Sequence, residues 1–141
     1  MKKQTPISTI MISNLVKLNL TDDLTKAEKL FKKHKIRHIP VVESNIILGM
    51  LSYSDLLRIS YVDPFDIEDE NVPVTIYNLF TISQVMTKNP IAISPETTIK
   101  EAADILANNE FHALPVCVGN LLVGIITTTD LIRYLTSQFE K

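Results

Sequence analysis

The chain has 141 residues, enough for one ordinary domain or two very small ones. With 45% hydrophobic and 21% charged residues and a mean hydropathy of +0.15, its composition excludes a disordered or collagen-like chain. A balance of 14 Lys+Arg against 16 Asp+Glu advertises neither nucleic acid nor an anionic membrane as a partner. Three glycines leave little for a glycine-rich phosphate loop, and the single cysteine excludes an intramolecular disulfide and suits a reducing compartment.

The opening MKKQTPISTIMISNL pairs lysines with apolar residues, but Ser8, Thr9, Ser13 and Asn14 break the apolar run that a signal peptide needs. The segment is therefore expected to belong to the fold, and the protein to the cytoplasm. A short strand is expected around Leu15–Leu18. Leu24, Ala27, Leu30 and Phe31 then recur at helical spacing. Lys26, Lys29 and Lys33 line the opposite face of that helix, and Glu28 is placed to pair with Lys32. The basic run reads as a solvated face, because the base-stacking aromatics of a nucleic-acid site are missing. His34 and His38 have a metal-ligand spacing, but the helix should end between them, so no metal site is expected. Ile39–Glu43 and Ile46–Leu51 read as strands joined by the two-residue turn Ser44-Asn45, and a last helix starts near Tyr53.

Tyr61–Thr81 carries the acidic stretch DPFDIEDE and prolines at 64 and 73. It reads as a solvated connector draped over the surface; a partner-docking or cation-attracting loop is the other reading.

From Ile82 the elements return. Shifted by 75 positions the sequence falls on itself without a gap. Met11 meets Met86, Ala27 meets Ala102, and Pro40-Val41 meets Pro115-Val116. Gly49 meets Gly124, and Asp55-Leu56 with Arg58 meets Asp130-Leu131 with Arg133. The second copy has a strand at Ile91–Ile93 and a helix through Ile99, Ala102, Ile105 and Leu106, with Thr98 and Glu101 as a capping box. Strands Leu114–Val118 and Leu121–Ile126 follow, joined by Gly119-Asn120, and then a helix from Thr128. Leu121–Ile126 is typical of the apolar runs, all far below the ~20 residues of a transmembrane helix. Cys117 falls in a buried strand as a small core residue. The expected fold is α/β, an α+β sandwich of two β-α-β-β-α repeats about a pseudo-twofold axis. Residues 1–60 form the first repeat, 61–81 an acidic linker and 82–141 the second repeat. Because a core of roughly 60 residues is marginal alone, the repeats are expected to share one core and form one compact module.

After each hairpin both copies read Gly, two apolar residues, a hydroxyl residue, two more, then Asp: Gly49 to Asp55 and Gly124 to Asp130. Two chemistries fit. Ser or Thr three residues before an acid caps a helix. An ionised carboxylate that only accepts hydrogen bonds can also take both hydroxyls of a ribose.

The duplicated pattern resembles a pair of cystathionine-β-synthase-type (CBS) domains, a Bateman module. The resemblance rests on Met86-Thr87, Ile39-Pro40-Val41-Val42, Leu114-Pro115-Val116-Cys117 and the two Gly-x-x-Ser/Thr-x-x-Asp segments, and it covers nearly everything but the linker. It implies a regulatory module that binds an adenosyl ligand, AMP, ADP or ATP foremost, in two clefts between the repeats, needs no other cofactor, and modulates a partner protein that the sequence does not identify. Carried over residue by residue, one cleft joins Thr127, Asp130 and Ile125 to Val16, Arg37, His38, Ile39 and Pro40. The other joins Ser52, Asp55 and Met50 to Thr87, Ile91, Ala92, His112, Ala113, Leu114 and Pro115. Two positions depart from symmetry: Ile12 stands opposite Thr87, and Ala113 opposite His38. Arg37 and His38 can grip phosphate, so the Asp130 cleft is expected to bind phosphorylated adenosine and the Asp55 cleft to be weaker, empty or tolerant of an uncharged adenosyl group.

The competing function is a ligand-free structural adaptor for dimerisation or docking. No nucleophile has an evident base and no carboxylates pair at catalytic spacing outside the linker, so an enzyme is not expected. Such modules commonly dimerise through helices. Leu56, Leu57, Ile59 and Tyr61, with Leu131, Ile132, Tyr134, Leu135 and Phe139, give the closing helices an apolar surplus that points to a homodimer.

Overall fold

A computed structural model describes residues 4–60 and 77–140. The chain is a mixed α+β protein whose strands are β1 (Leu18–Asn19), β2 (His38–Glu43), β3 (Ile46–Ser52), β4 (Thr87–Lys88), β5 (Ala113–Val118) and β6 (Leu121–Thr127). Its helices are α1 (Leu24–His34), α2 (Tyr53–Ser60), α3 (Ile82–Val85), α4 (Ile99–Ala107) and α5 (Thr128–Phe139). They fall into two compact units. Among the described residues, one comprises 16–44, 48–60 and 77–89; the other comprises 4–15, 45–47 and 90–140.

In the first unit β1 runs parallel to β2, with Leu18 opposite Val41, and β3 runs antiparallel to β4, with Met50 opposite Thr87 and Gly49 opposite Lys88. Asp23 caps α1 by accepting from the Lys26 amide at 2.8 Å, and Lys35 closes the helix with φ 53 and ψ 43, its N–H bonded to the Phe31 carbonyl. That left-handed residue turns the chain into β2 and leaves His34 and His38 on different elements. Glu28 pairs with Lys32 at 3.2 Å, four residues apart, as the helical period requires. Leu24, Ala27 and Phe31 face a core that also holds Leu18, Ile39, Val41, Leu51, Leu56, Ile82 and Met86.

The second unit repeats this register after the 75-residue shift. Ile93 bridges Val116 in parallel, as Leu18 does Val41, and Ile12 bridges Ile125 antiparallel, as Thr87 does Met50. The β5–β6 hairpin carries a bulge between Val116 and Cys117. Thr98 and Glu101 form the expected capping box on α4. The core comprises Ile7, Ile93, Ile99, Ala102, Leu106, Leu114, Val116 and Ile126.

Each unit has its own cluster of buried apolar residues. What the repeats exchange is chain: 4–15, from the first repeat, packs in the second repeat's unit, and 82–89, from the second, packs in the first's. That exchange enlarges each core. The strand expected at Leu15–Leu18 is confined to Leu18–Asn19, and that at Ile91–Ile93 is a single bridge at Ile93, because each segment pairs with the neighbouring strand through only one or two residues. Most of the acidic linker lies outside the described residues, and its last four, 78–81, are exposed. Tyr77 is buried in the first core with its hydroxyl on Glu28, and Thr81 opens α3 with a capping box to Gln84. The two hairpin turns differ: Ser44 and Asn45 both have positive φ, whereas in the other turn only Gly119 does.

Candidate functional site

Each hydroxyl–Asp pair stands at a strand-to-helix junction inside its own unit. At the start of α5, Thr127 accepts from the Asp130 amide at 3.2 Å. Asp130 Oδ2 accepts from the Thr127 amide at 2.9 Å and from the Thr127 hydroxyl at 2.8 Å. At the start of α2, Ser52 Oγ accepts from the Asp55 amide at 3.0 Å and Asp55 Oδ2 accepts from the Ser52 amide at 3.2 Å. The capping chemistry is thus present at both. It does not consume either carboxylate, since each box engages only Oδ2. The second oxygens differ. Asp55 Oδ1 is held by Arg58 Nη2 at 3.1 Å, while among the described residues no hydrogen bond or ion pair reaches Asp130 Oδ1. An ionised carboxylate with an unengaged oxygen can still accept from a ribose hydroxyl.

The residues expected around these boxes divide as follows. The first unit holds Val16, Arg37, His38, Ile39, Pro40, Met50, Ser52, Asp55 and Thr87. The second holds Ile91, Ala92, His112, Ala113, Leu114, Pro115, Ile125, Thr127 and Asp130. The Arg37 carbonyl accepts from the Tyr53 amide at 2.8 Å, and the His112 carbonyl from the Thr128 amide at 2.9 Å, so each basic segment is fastened to its own repeat's helix start. Arg37, His112, Thr87, Ile91 and Ala92 are exposed; Val16, His38, Ser52, Asp55, Thr127 and Asp130 are partly exposed. Ile39, Pro40 and Leu114 are fully buried, and Met50, Ala113, Pro115 and Ile125 are buried, so these positions can offer a ligand chiefly backbone groups.

Sequence reasoning missed Arg58, Gly49 and Met86. Arg58, with Asp55, Ile59, Phe80, Gln84 and Val85, lines an open depression of ≈ 280 Å³ in the first unit, close to the lower size limit of small-molecule pockets. The i, i+3 spacing of Asp55 and Arg58 was the available signal. Burial raises the Cys117 thiol pKa, in keeping with a core residue. Among the described residues no three His, Cys, Asp or Glu gather as metal ligands, and no helix is long and apolar enough to cross a membrane.

The CBS domain family matches residues 7–61 and again 82–137. The chain belongs to the CBS domain family. The uncharacterized protein MJ1225 of Methanocaldococcus jannaschii is 29% identical over 135 residues, which cover 95% of this chain and 44% of MJ1225. The chain thus spans under half of that relative. The solved structure of CBSX2 in complex with AMP aligns with a TM-score of 0.77 at 22% identity, covering 97% of this chain and 99% of that one; CBSX2 comes from Arabidopsis thaliana. The CBS domain pair of protein MJ0100, in complex with 5′-methylthioadenosine and S-adenosyl-L-methionine, aligns with a TM-score of 0.78 at 20% identity, covering 95% and 98% of the two chains. At such identities these likenesses establish the shared CBS-pair fold.

Proposed function

We propose that this CBS pair is a regulatory module that binds an adenosyl ligand through its two Ser/Thr-x-x-Asp boxes and passes the binding state to a partner protein. The observation that carries this reading is the half-used carboxylate. Each Asp keeps one oxygen outside the capping box, and at Asp130 that oxygen has no partner among the described residues. A purely capping acid could sit there too, but the box recurs with its hydroxyl in both repeats, beside Thr87 in one unit and Ile12 in the other. The AMP bound by CBSX2 and the adenosyl compounds bound by MJ0100 support the ligand class.

Arg37, which is exposed, supplies a forked donor pair for phosphate. The module works without catalysis, acts in the cytoplasm, and associates as a homodimer through its exposed helix faces.

A thermal-shift screen with AMP, ADP, ATP, 5′-methylthioadenosine and S-adenosylmethionine tests the reading. A ligand present at 100 times its dissociation constant adds about 2.7 kcal/mol of stability, an upward shift of several degrees for a domain of this size. Flat melting curves with all five at millimolar concentration would leave the ligand-free adaptor as the better account.

A further inference from the structure

Two glycines of the repeat are places where another chain segment lies against the backbone. A Cβ built on Gly124 would meet the thioether sulfur of Met11 at 2.6 Å and its Cγ at 3.1 Å, with the Ile12 carbonyl oxygen at 3.3 Å. A Cβ on Gly49 would collide with the Met86 sulfur and meet Met86 Cγ at 2.9 Å and the Thr87 carbonyl oxygen at 2.8 Å. The two sites are matched by the 75-residue shift, but the obstacles differ. At Gly124 the groups inside 3.2 Å belong to a flexible side chain, which can move. At Gly49 one of them is backbone, which can retreat only if β4 retreats. Nothing in the surroundings makes β4 easy to hold elsewhere: it is two residues long and pairs β3 through Met50–Thr87 and Gly49–Lys88, backed by the Asn89 amide on the Leu48 carbonyl at 3.2 Å.

We infer that Gly49 is a positioning residue for the Asp55 site: its missing side chain lets β4 lie against β3 and so sets Thr87 opposite Met50, in register with Ser52 and Asp55 farther along the same strand and helix. The inference rests on the adenosyl-binding reading for the roles of Thr87 and Met50, and on the geometry alone for the placement of β4. Met86 helps to fix the arrangement, since its buried side chain belongs to the first unit's core. At Gly124 the same device holds Ile12 near Ile125, with two backbone hydrogen bonds of 2.9 and 3.0 Å between them, but with more slack.

The two glycines therefore respond differently to the same substitution. In an Asp130→Ala background, which leaves only the Asp55 site, calorimetry with AMP and with 5′-methylthioadenosine should give at least a tenfold loss for Gly49→Ala, equivalent to about 1.4 kcal/mol. Gly124→Ala in that background should stay within about threefold. In the ligand-free protein, amide NMR should show Thr87 and Lys88 displaced by Gly49→Ala but not by Gly124→Ala. If Gly49→Ala does not fold, Gly49→Ala/Met86→Ala relieves the side-chain collision and leaves only the Thr87 carbonyl; its affinity should remain low. Full affinity in that double variant, or unshifted Thr87 and Lys88 amides in Gly49→Ala, would overturn the inference. If the parent protein binds neither compound, the adenosyl reading falls, and the ligand-free amide shifts alone decide whether Gly49 places β4.

Discussion

Asp55 and Asp130 occupy the same place in the repeat and are not the same acid. Arg58 sits on Asp55 from one helical turn away, whereas the equivalent Arg133 makes no ion pair with Asp130. The Arg58 side chain is 76% exposed, so the pair contributes little to stability. On the adenosyl reading its effect falls on the site instead, because it occupies the Asp55 oxygen left outside the capping box. Arg58→Ala should leave the melting temperature nearly unchanged. It should tighten adenosyl binding at the Asp55 site by roughly two- to fivefold, matching a surface pair worth up to about 1 kcal/mol. Calorimetry in the Asp130→Ala background checks this, and weakened binding would assign Arg58 to the ligand. At this scale the sequence was legible where chemistry is local. The Ser/Thr-x-x-Asp boxes, the Thr98–Glu101 box and the Glu28–Lys32 pair all follow from spacing alone. The collision space around Gly49 was not legible, because it depends on a segment 37 residues away, at Met86.

Among elements, the helices and hairpins were readable because their apolar periods and turn residues are written in consecutive positions. The leading segments were not. Residues 7–14 and 82–89 carry too few apolar positions to declare a period, and nothing local says which hairpin they join. The signal that could have found the exchange is the doubled pairing of a methionine with a glycine, Met11 with Gly124 and Met86 with Gly49, both kept by the repeat. The end of α1 between His34 and His38 was readable, but the way the chain leaves the helix was not. Lys35 adopts a left-handed conformation that the sequence, with no glycine there, did not announce. A non-glycine residue in that region carries a steric cost of roughly 1–2 kcal/mol. Lys35→Gly removes that cost and returns part of it as unfolded-state entropy. Chemical denaturation should register a net gain of about 0.5–1 kcal/mol, whereas a loss would mean that the lysine side chain has a stabilising role not visible in its contacts.

For the molecule as a whole, the apolar surplus attributed to the closing helices proves smaller than the sequence suggested and differently placed. Leu56 is fully buried in the first core, and Ile59, Leu131 and Tyr134 pack partly against the cores; Tyr61 lies outside the described residues. What stays exposed on α5 is Ile132, Leu135 and Phe139, at 56%, 42% and 79%, spaced to share one face; Leu57 is exposed on α2, and Leu79 and Phe80 just before α3. Clustered apolar side chains of this kind mark association surfaces. Light scattering at tens of micromolar, a working range for a modest interface, should report a homodimer, and Ile132→Glu/Phe139→Glu should convert it to monomer without lowering the melting temperature of the fold. A monomeric parent protein would remove the dimer from the account.

The central claim is that a carboxylate serving as a helix cap also serves as the ribose acceptor of an adenosyl site. Calorimetric titration of AMP into the parent protein and into Asp130→Ala tests it most directly. Losing an acid at a helix start costs only about 0.3–1 kcal/mol of stability, so the variant should remain folded at room temperature. The account predicts that its tighter AMP site disappears while the melting temperature falls by a few degrees at most. Unchanged AMP affinity together with early melting would contradict it and leave Asp130 as a helix cap and nothing more.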